Sequence, residues 1–247
     1  MIRSLYASVS SMITLENQQN TVVNNMTNAN TTGFKSDSLI TKSFDEVYIA
    51  NKESGVIGSL SLGAEIDTVN TSFTQGDFKK TDDNSDFAIN GRGFFVIKQG
   101  NEYLYTRDGD FSVGTDGTLI TSNGDQVMGI NQNTGSIEAI FVGNNEYKLN
   151  GNNLLNIDGL TNYEILTADF EDYSNLEKAG ANYYRGADAI MNSVVNVEQG
   201  YLEQSNVNIT DEMVNLMTTL RNFESSQSIF KMIDSTLDIA ANNLGKV

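Results

Sequence analysis

Three clusters in this sequence have residue types able to do chemistry. Gly91-Arg92-Gly93 begins like a phosphate-cradling dinucleotide loop. The third glycine and following helix of that motif are missing, and the tripeptide lies between two strand-like runs, so a hairpin is the better account. Asp82, Asn84 and Asp86 alternate like the start of a calcium loop. The sixth place holds Phe87 instead of glycine and the twelfth Gly93 instead of glutamate, which breaks the EF-hand pattern and leaves a solvated acidic loop. Arg107, Asp108, Asp110 and Asp116 gather carboxylates in a turn-rich stretch, the residue types of a carboxylate glycosidase. Among 32 acidic residues such adjacency arises by chance, so that activity stands only as an alternative.

The composition removes most other chemistry. The chain has no His and no Cys, so Ser-His-Asp and Cys-His machinery, imidazole and thiolate metal sites and disulfides are all out of reach. With 15 basic residues against 32 acidic ones the formal charge is −17, which opposes a sequence-independent grip on nucleic acid or an anionic membrane. No catalytic, cofactor-binding or metal residue is assigned, and the expected partners include no nucleic acid and no small-molecule substrate. The first twenty residues are too broken by Ser, Thr and Glu for a signal-peptide core. No later window is long and apolar enough to span a bilayer. The chain therefore reads as soluble, using a route without a cleaved leader if it is exported.

The elements that must position everything else are the two ends. From Ile209, steps of seven reach Leu216, Phe223, Phe230, Leu237 and Leu244, a column that only a helix gathers on one side. Met213, Met217 and Leu220 widen it in the first half, Ile233 and Ala240 in the second. Asn208 or Thr210, followed by Asp211 and Glu212, supplies the cap and first-turn acids, and Gly245 the stop. At the other end Ile2, Val9, Val23 and Asn30 recur by seven, with Leu5, Met12 and Met26 three places on, over a helix expected from Ser4 to Asn28. Each seam suits either plain core or a coiled coil. Glu16 and Gln19 interrupt the first seam and Gln227 the second. In an antiparallel pair with level free ends these three would share one polar layer that fixes register, or else be unrelated solvated side chains.

Between the helices, Phe34 to Ala64 reads as extended structure with one short helix near Phe44 to Ala50. From Glu65 to Phe170 the period is two, punctuated by Asn90-Gly91, Asp108-Gly109, Asp116-Gly117, Asn123-Gly124, Asn150-Gly151 and Asp158-Gly159, the turn chemistry of an antiparallel β body. Tyr173 to Val197 reads as irregular. The fold class is α+β: an antiparallel β body inserted between long N- and C-terminal helices that pair as a coiled coil. The organisation is an N-terminal helix over residues 1–33, a connecting segment over 34–64, a body over 65–199 and a C-terminal helix over 200–247.

Three stretches also carry a family likeness. They are Asn24-Asn25-Met26-Thr27-Asn28-Ala29-Asn30-Thr31-Thr32-Gly33-Phe34-Lys35; the central runs Phe87 to Phe95, Tyr105 to Phe111 and Gly117 to Gly124; and Gly200 to Asn208 with its Ser205, Asn206 and Asn208, followed by Glu212-Met213-Val214 and Arg221-Asn222-Phe223-Glu224. In order and spacing the chain resembles the bacterial flagellar basal-body rod and hook family. The opening residues and the length are most similar to distal-rod members (FlgG type), with FlgF-type members close beside them, although the segment from Phe34 to Asp86 is short for a distal-rod member. The resemblance implies a structural subunit, not an enzyme. It polymerises into a helical tube that transmits torque, with paired terminal helices innermost and ends that order only on assembly. The implied partners are copies of itself, adjacent rod and hook subunits, surrounding ring proteins and the flagellar type III export apparatus. The implied place is the basal body, outside the cytoplasm. A secreted coiled-coil adhesin with a β head is the alternative from another class.

Overall fold

The computed structural model describes residues 2–44, 47–51, 55–60, 63–143, 145–151, 153–193 and 195–244. They fall into two compact units, one built from Met1–Thr27, Ser36–Ser72 and Val207–Val247, the other from Asn28–Lys35 and Phe73–Asn206.

The first unit holds two helices, α1 (Ile2–Thr27) and α2 (Ile209–Leu244), packed against each other. Neither contains Gly or Pro. Asn208 Oδ1 accepts the backbone N–H of Thr210 at 3.0 Å and starts α2, with Asp211 and Glu212 in its first turn. The predicted stop at Gly245 lies outside the described residues. Along α2 the covered positions are Glu212, Leu216, Thr219, Phe223, Ser226, Phe230, Ile233, Leu237 and Ala240, in alternating steps of four and three. That spacing keeps one stripe facing one partner.

Among the described residues of this unit there are also four strands: β1 (Asp37–Ser43), β2 (Val47–Asn51), β3 (Gly55–Leu60) and β4 (Ala64–Thr71). β1 pairs antiparallel with β4, with a register shift between Ile40 and Thr41, and this ribbon packs on α1. β2 pairs with β3. The short helix expected near Phe44 to Ala50 is therefore corrected. Val47, Tyr48 and Ile49 are β-branched or aromatic and find a cross-strand partner, which outweighs a single isolated helical turn; Asp45 and Glu46 lie outside the described residues.

The polar layer is corrected too. Glu212 bonds Asn25, so in antiparallel helices of equal rise Gln227, at 227 − 212 = 15 positions further on, sits beside position 25 − 15 = 10 rather than beside 16 and 19. α2 has 36 residues and α1 has 26, so the free ends are not level. Glu16 and Gln227 are both exposed.

Among the described residues the second unit is all β apart from one 3-10 turn, Tyr173–Asn175. In chain order its strands are β5 (Phe78–Lys80), β6 (Phe87–Asn90), β7 (Phe94–Gln99), β8 (Glu102–Thr106), β9 (Phe111–Val113), β10 (Leu119–Thr121), β11 (Gln126–Asn131), β12 (Ile137–Ala139), β13 (Tyr147–Asn150), β14 (Leu154–Ile157), β15 (Leu160–Ile165), β16 (Thr167–Asp169), β17 (Glu177–Gly180), β18 (Tyr183–Arg185), β19 (Ile190–Met191), β20 (Asn196–Gln199) and β21 (Tyr201–Glu203). The main sheet runs β13-β14-β15-β11-β7-β8-β18-β17, antiparallel throughout, with β20 on β6 and β21 on β5 as separate pairs.

β7 is buried on both faces. Phe95 and Ile97 enter a cluster with Phe87, Leu104, Phe111, Leu119 and Ile140, while Phe94 and Val96 pack with Tyr105, Met128, Phe170 and Tyr184. Two expectations change here. Gly91-Arg92-Gly93 is not a hairpin: β6 pairs with β20, whereas β7 pairs with β8, β11 and β16, so the tripeptide carries the chain from one sheet to another. Tyr173 to Val197 is not irregular, because β17, β18 and β19 lie within it, β20 begins at its end, and Ala181 and Asn182, at φ 49° and 59°, make the turn between β17 and β18. The body is nonetheless the antiparallel β structure that the alternation predicts, and the chain is α+β.

Candidate functional site

In the second unit the chain from Asn28 to Lys35 forms an arm whose seat is made of charge. Gly33 turns it at φ 66°, and a Cβ there would stand 2.4 Å from the Asp108 nitrogen and 2.5 Å from the Arg107 carbonyl carbon, so glycine is required by both backbone conformation and space. Phe34 is buried under the Lys178 ammonium, which lies 4.8 Å from its ring centre. Lys35 then inserts a side chain with 0% exposure.

Its ammonium donates to the Thr74 carbonyl at 2.8 Å and to Glu203 Oε1 at 2.5 Å. Glu203 Oε1 also accepts the Gly76 N–H at 2.9 Å, and its other oxygen accepts from Arg107 Nη1 at 3.2 Å. Arg107 in turn donates to the Gly91 carbonyl at 2.7 Å and lies over the Phe94 ring. All three charged side chains are buried. Burial pushes the Lys35 ammonium below the usual lysine range, Glu203 pulls it back up, and Arg107 adds to the lowering. Two cations share one carboxylate in a place water does not reach, and removing one partner of such a cluster costs more than the intact cluster contributes.

Neighbouring bonds tie the arm down on both sides. Thr32 donates to Asp108 Oδ1 at 2.6 Å, and Asn182 donates to the Thr32 carbonyl at 3.1 Å. The Gly33 N–H reaches the Glu203 carbonyl at 2.8 Å, and Asn206 donates to Thr74 through its side chain. The Lys35 ammonium, both Glu203 carboxylate oxygens and the terminal Arg107 nitrogens hold backbone or another charge, while Arg107 Nε is buried without a hydrogen-bond partner among the described residues. The chemistry is that of a clasp.

The other residues singled out by the sequence lie as follows. Asp86 and Asp110 face each other across an isolated β-bridge, and Asp108 accepts from Thr32 and from the Asp110 N–H. Among the described residues no group of His, Cys, Asp or Glu is placed to hold a metal. Of the motif residues, Asn25 and Gly33 are buried, Phe34 is in the arm, Ser205 and Asn206 are half-buried, Asn208 caps α2, and Asn24 and Asn30 are exposed. Leu5, Val9, Met12 and Met26 are half-covered on α1, as are Leu216, Phe223, Phe230 and Leu237 on α2. Val23, Ile209, Met213 and Leu220 are exposed, and the side chain of Leu244 lies outside the described residues. Composition and spacing alone do not reveal the clasp. Lys35 and Glu203 stand 168 positions apart, and nothing local separates Glu203 from the other acids.

Three family models match in the same order as these elements. The model for flagella basal body rod proteins covers residues 5–35, the D1 domain of flagellar hook protein FlgE/F/G covers 88–159, and the C-terminal region of flagellar basal body rod FlgEFG proteins covers 198–244. Lys35, Arg107 and Glu203 thus come one from each matched segment. Among similar proteins, flagellar basal-body rod protein FlgF of Caulobacter vibrioides is 32% identical over the whole of both chains. FlgG of Buchnera aphidicola subsp. Schizaphis graminum is 31% identical over 96% of this chain and 98% of its own, and FlgG of Bacillus subtilis 29% over 98% and 99%. With full-length likeness to rod proteins and all three segments in register, the chain belongs to the flagellar basal-body rod family.

Proposed function

We propose that the chain is a structural subunit of the flagellar rod, of the distal (FlgG) type, that polymerises with copies of itself and with adjacent rod and hook subunits into a torque-transmitting tube. The observation that carries this reading is the apolar surface left open on the helical unit. Met213 and Met217 on α2 are 48% and 51% exposed, and Tyr6 and Ile13 on α1 are 64% and 52% exposed. Tyr6 and Ile13, with Val9, Ser10 and Phe44, line a groove of about 450 Å³. α2 therefore carries an apolar stripe wider than the face covered within its own chain, and packing between subunits supplies the remaining cover.

In this reading α1 and α2 pair as an antiparallel coiled coil, supported by the four-three spacing of covered positions along α2. The covered residues Leu5, Met12, Met26, Leu216, Phe223, Phe230 and Leu237 hold the pair, with Val9 beside them on the groove. Ile209, Met213, Leu220 and Val23 meet neighbours. Both ends order fully on assembly. Surrounding ring proteins, passage through the flagellar type III export apparatus without a cleaved signal peptide, and residence in the basal body outside the cytoplasm belong to the same proposal. No observation favours the adhesin or glycosidase alternatives, since the family is structural and not enzymatic.

The test is Phe223→Asp, which sets a carboxylate in the α2 stripe at a cost of several kcal/mol on burial. Rods and motility should be lost while the second unit keeps its proteolytic resistance and β-rich circular dichroism. Normal rods and motility in the variant would contradict the assignment.

A further inference from the structure

The clasp has a charge count that its geometry makes consequential. Lys35 and Arg107 contribute two positive charges and Glu203 one negative, all buried, and among the described residues both cations pair with Glu203. Lys35 sits on the arm and Arg107 just after β8, so both precede Glu203 by about a hundred residues or more. Glu203 ends β21, whose partner β5 is Phe78–Lys80, and five residues later Asn208 begins α2. Without Glu203, seating the arm would place an ammonium beside a guanidinium in a dry pocket with no compensating charge.

We propose that Lys35, Arg107 and Glu203 form a completion latch: the arm Asn28–Lys35 seats only after the last strand of the body brings Glu203 between the two cations. A chain made or delivered from its N-terminus would keep the arm unseated until the segment leading into α2 is present. The latch acts within a single chain and goes beyond the proposed place in the rod. Glu203 also anchors backbone at this point, its carboxylate taking the Gly76 N–H and its main-chain carbonyl the Gly33 N–H.

The three charges make a prediction that ordinary packing does not. Lys35→Met removes one cation and leaves a neutral Arg107–Glu203 pair, whereas Glu203→Gln leaves two facing cations. Combining them removes the repulsion that the second change created. In the full-length protein, hydrogen exchange of residues 28–35 should accelerate on the order of 100-fold or more in Glu203→Gln and no more than about 10-fold in Lys35→Met. The double variant Lys35→Met/Glu203→Gln should be slower to exchange than Glu203→Gln alone. Strand β7 should stay protected in all three, reporting an intact core.

If Glu203→Gln unfolds the whole body, the comparison moves to the double variant, which must then recover a protected β7. Additive losses, with the double variant worse than either single one, would overturn the latch and leave Glu203 a plain structural partner. Equal effects of the two single changes, or an arm that stays protected in Glu203→Gln, would overturn it as well.

Discussion

Asn25 holds Glu212 across the helix pair, its Nδ2 donating to Glu212 Oε1 at 2.9 Å. The same amide brackets the start of β1, donating to the Asp37 carbonyl at 2.8 Å and accepting the Asp37 N–H at 2.9 Å. One side chain, 1% exposed, thus sets α2 on α1 and the ribbon on α1.

Asn25→Ala should leave the Asp37 backbone groups and one Glu212 oxygen without this partner, at a cost of about 1–3 kcal/mol for the site. Asn25→Asp should be worse, because the new carboxylate faces Glu212 and cannot donate. The measurement is the heat stability of assembled particles, with hydrogen exchange of the last turn of α1. A change at exposed Gln18 should stay within about 0.5 kcal/mol.

A second expectation concerns pH. Burial pushes the Asp108 carboxyl above the usual carboxylate range; bonds from Thr32 and the Asp110 N–H partly oppose this, and the Asp110 and Asp86 carboxylates add to it. A folded-state value above the unfolded one means the folded chain takes up this proton first as pH falls from neutral. The site therefore gains stability in the window from its raised folded value down to the unfolded value of about 3.8, and loses that gain as pH rises. Asp108→Asn keeps an acceptor for Thr32 and the Asp110 N–H without the charge. It should stabilise the second unit by about 1 kcal/mol at pH 7. The advantage should vanish near pH 4 in thermal melts at the two pH values.

Glycine at position 33 gives a third. Gly33 and Gly100 share a left-handed backbone, at φ 66° and 60°, but a Cβ at Gly100 meets nothing within 4 Å. Alanine at either position carries the strain of about 1–2 kcal/mol for that conformation. Only Gly33→Ala adds the collision with Arg107 and Asp108, so it should cost clearly more and release the arm, as read by denaturant titration and exchange of residues 28–35.

These elements differ in how openly the sequence displays them. The helices are legible because Leu216, Phe223, Phe230 and Leu237 repeat at a helical period that no strand reproduces, and β7 is legible as the apolar run Phe94 to Ile97. The register is not. The periodicity repeats every seven residues along both helices, so it cannot say that Asn25 meets Glu212 and not a position one or two turns away. The outer column at Met213 and Leu220 looks like core in the pattern, while Thr219, polar by type, is buried in its place. The clasp is hidden for a related reason: its three charges come from distant segments, and a buried lysine reads locally like a solvated one.

The central claim, that this chain builds the rod, is met most directly by a density map of purified basal bodies. The comparison uses a strain carrying this protein with a small tag in the exposed loop between β11 and β12 and a strain lacking it. The account predicts tagged density around the rod, with α1 and α2 in its innermost layer, and basal bodies with a truncated rod in the strain without it. Complete rods in the absence of the protein, or a tag found anywhere but the rod, would contradict the account.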